Sequence, residues 1–258
     1  MQFIPDGRAS RRLTTLILSL IAFGWTGPIQ GALTVQHFWH VGEDNQILPT
    51  DSIGANAFTG TFGTVTVDTA NFAPGSSASL NFANADGANW TDNAITVPAE
   101  NWLFELWVNP TVVATDNGVS IATLGSEAGT TQIGMVAGKW FFGEMNVTYG
   151  ENSQPATAGA WTHLAWVRDA GVNRFFVGGV EVGSNSDSLV NNGRIHLFIK
   201  PGGGEVPQGN VDEIRFSTFN AGEFNSGDLL VHAVPEPASI ALLAVSSALF
   251  GVCRRRRG

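Results

Sequence analysis

The chain has 258 residues, of which 43% are hydrophobic, only 14% are charged and 31 are glycine. This hydrophobic content argues against wholesale disorder, and the length is enough for a sizeable core in one or two domains. A single cysteine excludes an intramolecular disulfide framework and a paired-cysteine zinc site. The abundant glycine, together with 17 Phe and 8 Trp, indicates turns between buried strands rather than helices.

The first 32 residues have the pattern of a secretory signal. Three arginines precede an eleven-residue apolar run, residues 13–23, and small residues follow at positions 31 and 32. A positive region, a short apolar region and a small-residue exit are the parts of a signal peptide. The run is too short to cross a bilayer of ~30 Å comfortably. We therefore expect residues 1–32 to direct export and to be removed.

The segment 33–233 is strongly acidic. It carries six basic and twenty acidic residues, a formal net charge of −14, whereas the whole chain has −9. Such a domain repels phosphate backbones, so we expect no nucleic-acid partner.

The same segment is predicted to be one all-β domain, because no linker, charge run or internal repeat divides it. Short apolar or alternating runs recur between clusters of Gly, Asn, Asp and Pro, which is typical of strands and turns. Many strands at this spacing indicate a sandwich or a barrel. The predicted strands are 33–39, 63–67, 78–82, 94–97, 102–108, 120–124, 132–136, 139–145, 162–168, 174–177, 180–183, 194–199 and 210–216.

Two tight turns and one helix complete the prediction. Gly178 and Gly179 form a two-residue hairpin signal, since both central positions of such turns favour positive φ. Gly138 and Lys139 predict another tight turn after the strand 132–136. Residues 222–230 are predicted to form one short helix.

Two segments carry a family resemblance. The chain reads Trp-Thr-His-Leu-Ala at 161–165 and Val-Asp-Glu-Ile-Arg at 211–215. With the order of the other strands, these segments resemble the laminin-G-like, concanavalin A-like jelly roll over about residues 75–230. The resemblance implies an antiparallel jelly-roll sandwich. The chain departs from the family where Gly178-Gly179 stands in place of an Asp-Gly turn.

The acidic residues on the predicted strands are interpreted as structural. Glu105 alternates with large apolar residues, and an isolated buried charge is costly. We expect a half-buried acid that pairs with an arginine, such as Arg168 or Arg215, and holds two sheets in register. The neighbours Asp212 and Glu213 face opposite sides of a strand and cannot form a face-to-face acid/base pair.

No catalytic residue is predicted. Glycosidases on this jelly roll usually carry Glu-x-Asp-x-Glu on one strand, with carboxylates at the ~5 Å separation of retaining enzymes, and that run is absent. Ile195-His196 is similar to part of an alginate-lyase motif, but the single tyrosine, Tyr149, is far from the matching place. A Gly-x-Ser-x-Gly nucleophile elbow is also missing.

The histidines give no metal pair in the sequence. His37 and His40 are three residues apart, so on a strand they face opposite sides. His163 lies inside a predicted strand and is interpreted as structural.

One loop, residues 84–93, is rich in side chains with oxygen ligands and contains a tryptophan. Asp86 and Asp92 are the candidate ligands for Ca²⁺, which takes six to eight oxygens. The alternative is a solvated turn without metal. Trp90 in the same loop is the candidate platform for a sugar ring, whereas the strand tryptophans Trp39, Trp140 and Trp161 are expected in the core.

Residues 234–258 have three parts in order: a short motif, an apolar run 240–253 and an arginine cluster. As a helix, residues 238–253 cover about 24 Å, short for a membrane span, but terminal arginines can snorkel. The basic end is expected in the cytoplasm. The motif is Val234, Pro235, Glu236 and Pro237, and the cluster is Arg254, Arg255, Arg256 and Arg257.

This tail resembles the bacterial PEP-CTERM sorting signal. The resemblance implies processing by an exosortase, transient membrane anchoring, and association with exopolysaccharide and biofilm-matrix systems. We therefore expect an exported surface or matrix protein that binds extracellular polysaccharide without catalysis. The alternatives are a structural surface protein with no specific glycan, and a polysaccharide-degrading lyase or hydrolase.

Overall fold

A computed structural model describes residues 33–60, 64–83, 95–114, 118–124, 131–144, 147–149, 154–188, 195–198 and 207–233. The predicted signal peptide and sorting signal lie outside these residues. The described part is almost entirely antiparallel β-structure, which confirms the predicted fold class.

Thirteen strands and one short helix are formed by the described residues. A 3₁₀ turn, Ser226–Asp228, precedes the helix and is capped by the side chain of Asn225. In chain order the elements are β1 (Thr34–Trp39), β2 (Val65–Asp68), β3 (Ser79–Phe82), β4 (Trp102–Pro110), β5 (Val119–Leu124), β6 (Thr131–Val136), β7 (Lys139–Glu144), β8 (Val147–Tyr149), β9 (Thr162–Asp169), β10 (Val172–Val177), β11 (Val180–Asn185), β12 (Ile195–Leu197), β13 (Gly209–Thr218) and α1 (Leu230–Ala233).

The strands form two sheets. The large sheet has eight strands in the order β11-β10-β9-β4-β13-β3-β2, with β1 also paired to β13. The small sheet has five strands in the order β12-β5-β6-β7-β8. The main core lies between the two sheets and is rich in aromatic rings, including Trp102, Trp166 and Phe216. This is the layered arrangement of a β-sandwich.

Alternation along β4 explains why all nine of its residues are buried. Trp102, Phe104 and Leu106 point into the main core. Leu103, on the opposite face, belongs to a second apolar cluster with Phe176 and Leu229. The segment after β13 therefore covers the outer face of the large sheet, and β4 is buried on both faces.

The predicted hairpin at Gly178-Gly179 is confirmed. These residues join β10 to β11 and have φ values of 59° and 80°. The turn between β6 and β7 is instead made by Ala137 and Gly138, both with positive φ, one residue earlier than predicted.

Two other predictions of local structure are corrected, and one strand was missed. A strand was predicted over 94–97, but the described residues 95–97 form no strand, although Ile95 is buried in the core. The helix expected over 222–230 is replaced by the 3₁₀ turn and by α1, because the side chain of Asn225 caps a turn within that range. Strand β8 was not predicted from the sequence.

Candidate functional site

A row of polar side chains crosses the small sheet on the face that points away from the core. His196 on β12 lies opposite Thr123 on β5, and Thr123 lies opposite Gln132 on β6. Their chain neighbours, such as Leu124 and Ile133, point into the core. Since side chains alternate along a strand, these three point outward. We call them the polar row.

The polar row is continued by a serine and an aromatic ring. Ser120 donates to the amide oxygen of Gln132 over 2.5 Å. This bond leaves Nε2 of Gln132 as a donor. Gly134, two residues after Gln132 on β6, lies opposite Phe141 on β7. The ring of Phe141 covers Gly134, since a Cβ atom added to this glycine would come within 2.5 Å of Cε1 of Phe141. The amide donor of Gln132 and the ring of Phe141 are together suited to a ligand that has both hydroxyls and CH faces.

The groups of the polar row are largely enclosed. Gln132 and His196 each expose 5% of their surface, and Phe141 exposes 9%. In the sequence, His196 stands out only by its similarity to part of a lyase motif, and no pattern points to Gln132. Nothing in the sequence marks them as a pair, because β5 lies between their strands.

Glu105 lies on the opposite side of the molecule, at the centre of the large sheet. Its carboxylate accepts from Nε of Arg215 over 2.6 Å and from Nε2 of His163 over 2.8 Å. It also accepts from the backbone N–H of Leu230 over 2.9 Å. Arg215 in turn donates to the carbonyl oxygen of Asp228 over 2.5 Å. We call Glu105, His163 and Arg215 the buried triad.

Burial alone would raise the pKa of Glu105, but the hydrogen bond from His163 and the charge of Arg215 lower it below its usual value. The carboxylate is therefore ionised. It accepts hydrogen bonds from His163, Arg215 and Leu230 and is inaccessible to solvent. The predicted pairing of Glu105 with Arg215 is confirmed. Two details were wrong, because Glu105 is fully buried and the triad joins three strands of one sheet rather than two sheets.

Arg168, the other predicted partner of Glu105, lies elsewhere. It sits opposite Trp102 in the register of β4 and β9. Its guanidinium binds both carboxylate oxygens of Glu100 at 3.0 Å. Burial would raise the pKa of Glu100, but the hydrogen bonds from Arg168 and Gly171 lower it.

His37 and His40 have separate partners. Nδ1 of His37 binds Asp51 at 2.6 Å in the interior. Burial would raise the pKa of Asp51, but bonds from Gly54, Phe38 and His37 lower it. This pair fastens the 51–56 loop to β1.

His40 belongs to a different cluster at the edge of the large sheet. Nδ1 of His40 lies 3.0 Å from Glu213 and 3.9 Å from Glu43. The hydrogen bond to Glu213 raises the pKa of His40 against the opposing effect of burial. One ligand atom from each residue lies within 4.8 Å of the others, a set that could hold a metal ion.

A buried carboxyl group adjoins this cluster. Asp212 is fully inaccessible and accepts from the N–H groups of Ala73 and Glu213, both over 2.9 Å. Burial raises the pKa of Asp212 to about 8, and the nearby charge of Glu213 adds to the effect. This carboxyl group therefore holds a proton at neutral pH.

The predicted calcium ligands Asp86 and Asp92 and the predicted sugar platform Trp90 lie outside the described residues, as do the sorting motif and the arginine cluster. Trp161, which was predicted in the core, is only partly buried, because its Nε1 donates to the side chain of Asn71 over 2.9 Å. Trp39 and Trp140 are core residues as predicted.

More than half of the chain matches one protein family. Residues 75–220 match the family described as the concanavalin A-like lectin/glucanases superfamily. The chain belongs to this superfamily. Residues 233–257 match the PEP-CTERM protein-sorting motif, which marks an exported protein that is processed by an exosortase.

Solved structures share the superfamily fold at low sequence identity. Domain 4 of AbnA, an extracellular GH43 arabinanase from Geobacillus stearothermophilus solved in complex with arabinotriose, is 18% identical with a TM-score of 0.61. The match covers 79% of this chain and 99% of that domain. The receptor-binding domain of botulinum neurotoxin type G is 12% identical with a TM-score of 0.51, over 77% of this chain and 49% of the other. At these identities the likeness concerns the fold alone.

A search of curated proteins finds no sequence that matches this chain. Within the described ranges, which end at residue 233, no helix is both long enough and apolar enough to cross a membrane.

Proposed function

We propose that this exported protein is a non-catalytic binding module for extracellular polysaccharide at the cell surface or in the extracellular matrix. In this proposal residues 1–32 are the export signal, residues 33–233 the binding domain and residues 234–258 the sorting signal. The exosortase cleaves the tail, which anchors the chain in the membrane until then. The observation that carries the binding function is the polar row beside Phe141.

The chemistry of the polar row favours a saccharide. A sugar presents hydroxyl groups in the plane of its ring and CH groups on its faces. Gln132 exposes 5% of its surface and Phe141 9%. Where they are exposed, Nε2 of Gln132 can donate to such hydroxyls and the ring of Phe141 can cover an apolar face. The fold is shared with an arabinanase domain that was solved in complex with arabinotriose, and this supports the same class of ligand here.

The charge of the domain favours a neutral polysaccharide. With a net charge of −14, residues 33–233 repel uronate-rich or sulfated chains at low salt. A calcium ion that bridges two carboxylates would remove this restriction. The predicted ligands Asp86 and Asp92 remain the candidates for such an ion.

A non-catalytic role is supported by the state of the buried acids. Glu105 is inaccessible and its oxygens are occupied by the buried triad and Leu230. Asp212 holds a proton, but it is covered by Ala73 and its neighbours and does not lie on the small sheet. Neither carboxyl group can reach a substrate at the polar row.

Co-sedimentation with the host's own extracellular polysaccharide tests this proposal. The purified protein is mixed with the polymer in calcium and again in EDTA, and its depletion from the supernatant is measured. Gln132→Ala is compared with Thr66→Ala, a substitution at an exposed position of the large sheet. We expect wild type and Thr66→Ala to be depleted and Gln132→Ala to be retained in the supernatant.

Each outcome has a defined meaning. Depletion that EDTA abolishes assigns a calcium ion to the binding, whereas depletion that survives EDTA removes the metal from the proposal. Equal depletion of Gln132→Ala and wild type rejects the polar row as the site. Absence of depletion in both conditions rejects binding of that polymer, and the structural surface protein becomes the better interpretation. Release of new reducing or unsaturated chain ends would show an enzyme.

A further inference from the structure

The residues just before the sorting signal are fixed to the large sheet. Leu229 is completely buried in the second apolar cluster. The N–H of Leu230 donates to Glu105, and the carbonyl oxygen of Asp228 accepts from Arg215. The chain is therefore held by the buried triad up to the start of α1.

Helix α1 then lies directly against the β10–β11 hairpin. A Cβ atom at Gly179 would come within 2.7 Å of Cγ1 of Val231 and 2.8 Å of Nε2 of His232. His232 is exposed, and Val180 exposes 63% of its surface. We call the Gly178-Gly179 turn, Val180 and His232 the exit surface, because the chain leaves the domain beside them.

The sorting signal begins without a spacer. Its match starts at residue 233, the last residue of α1, and the motif itself occupies residues 234–237. Four extended residues span at most about 14 Å. A domain of about 200 residues has a radius of gyration of roughly 16 Å. An enzyme that holds the motif must therefore touch the domain beside the point of exit.

We propose that the exit surface is a contact surface for the exosortase that processes this chain. Val180 offers an exposed apolar side chain next to the two-residue turn. Helix α1 lies against this turn and ends directly before the motif in the sequence. The enzyme would then recognise the motif together with the folded domain that presents it. This inference rests on the proposed processing by an exosortase and is independent of glycan binding.

The test measures processing of the full chain in cells that contain the exosortase. Val180→Asp and His232→Glu alter the exit surface at exposed positions. Ile53→Asp is the matched control, since Ile53 exposes 58% of its surface and follows β1. Four strands, β10, β9, β4 and β13, separate β1 from β11, a distance of roughly 24 Å. Pulse-chase labelling gives the rate at which precursor is converted, and melting temperatures of the purified variants verify folding.

We expect Val180→Asp and His232→Glu to be processed several-fold more slowly than wild type, and Ile53→Asp at the wild-type rate. A ten-residue Gly/Ser spacer between Ala233 and Val234 should make Val180→Asp and wild type equal, because the enzyme then no longer reaches the domain. Wild-type rates for both exit-surface variants would overturn the proposal. So would a defect of Val180→Asp that persists with the spacer, or an absence of cleavage in the wild type.

Discussion

Arg215 and Glu105 lie directly opposite each other in β13 and β4 and form an ion pair inside the large sheet. Glu105 exposes none of its surface and Arg215 only 9%. Such a pair contributes little net stability when complete, since desolvation offsets the attraction. Loss of one partner, however, leaves a buried charge without compensation.

Glu105→Gln is therefore expected to destabilise the domain by about 3–5 kcal/mol, because Arg215 stays charged and buried. Urea unfolding of the purified domain measures the change. Glu181→Gln is the control: its pair with Arg174 is about one third exposed on both sides. An exposed pair contributes about 0–1 kcal/mol. Equal effects of the two substitutions would contradict the role assigned to the buried triad.

The C-terminal segment is expected to be part of the stable fold. Leu229→Ala removes a fully buried side chain from the second apolar cluster and should cost about 2–5 kcal/mol. Val180→Ala, at an exposed position, should change stability by no more than about 0.5 kcal/mol. In hydrogen exchange, the Leu230 amide should exchange only with global unfolding. Fast exchange of this amide in the wild type would show that the segment is not docked.

The partner of Glu105 illustrates how far sequence reasoning reaches. Alternation of large apolar residues with one acid predicted the strand and the need for a cation. It did not choose between Arg168 and Arg215, which both lie on strands next to β4. Only the register decides, because Arg215 faces Glu105 and Arg168 faces Trp102.

The His40 cluster marks the limit of that reasoning. Glu213 lies more than 170 positions along the chain from His40, and the two meet through the pairing of β1 with β13. An irregular register between Asp212 and Arg215, with φ of 46° at Glu213, separates the two neighbouring acids. The sequence has no glycine or asparagine at this position that would predict a bulge with positive φ. The sequence shows that Asp212 and Glu213 are neighbours, but it does not show that Asp212 is buried or that Glu213 contacts His40.

Asp212 gives the domain a defined dependence on pH. Its carboxyl group keeps its proton up to about pH 8 in the folded state, against an ordinary pKa of 3.8. Between these values the folded chain binds one more proton than the unfolded chain. Stability must then fall as the pH rises, by about 1.4 kcal/mol per pH unit for one proton. The raised pKa of His40 acts in the same direction, because its contribution is lost as the pH rises through that pKa.

Melting temperatures between pH 5.5 and 8 check this effect. Carboxyl groups with a lowered pKa, such as Glu105, act in the opposite direction but only at lower pH. We expect the melting temperature of the wild type to fall across the range and that of Asp212→Asn to fall less. Glu223→Gln, at an exposed position, should retain the slope of the wild type. An unchanged slope in Asp212→Asn would mean that its carboxyl group ionises below the range.

The docked C-terminal segment also limits where the tail can be cut. A protease needs its substrate as an extended segment free of other contacts, and local unfolding provides this only where stability is low. Leu229 is buried and Leu230 is bonded to Glu105, so cleavage at these residues would require separation from the buried triad. We therefore expect the processed protein to end after Ala233, within or beyond the Val-Pro-Glu-Pro motif. Intact-mass measurement of protein released from the host gives this end directly. In Leu229→Ala the segment is held more weakly, and additional ends before residue 233 should appear. A wild-type protein that ends before Leu229 would show that the segment is removed with the tail and is not part of the mature domain.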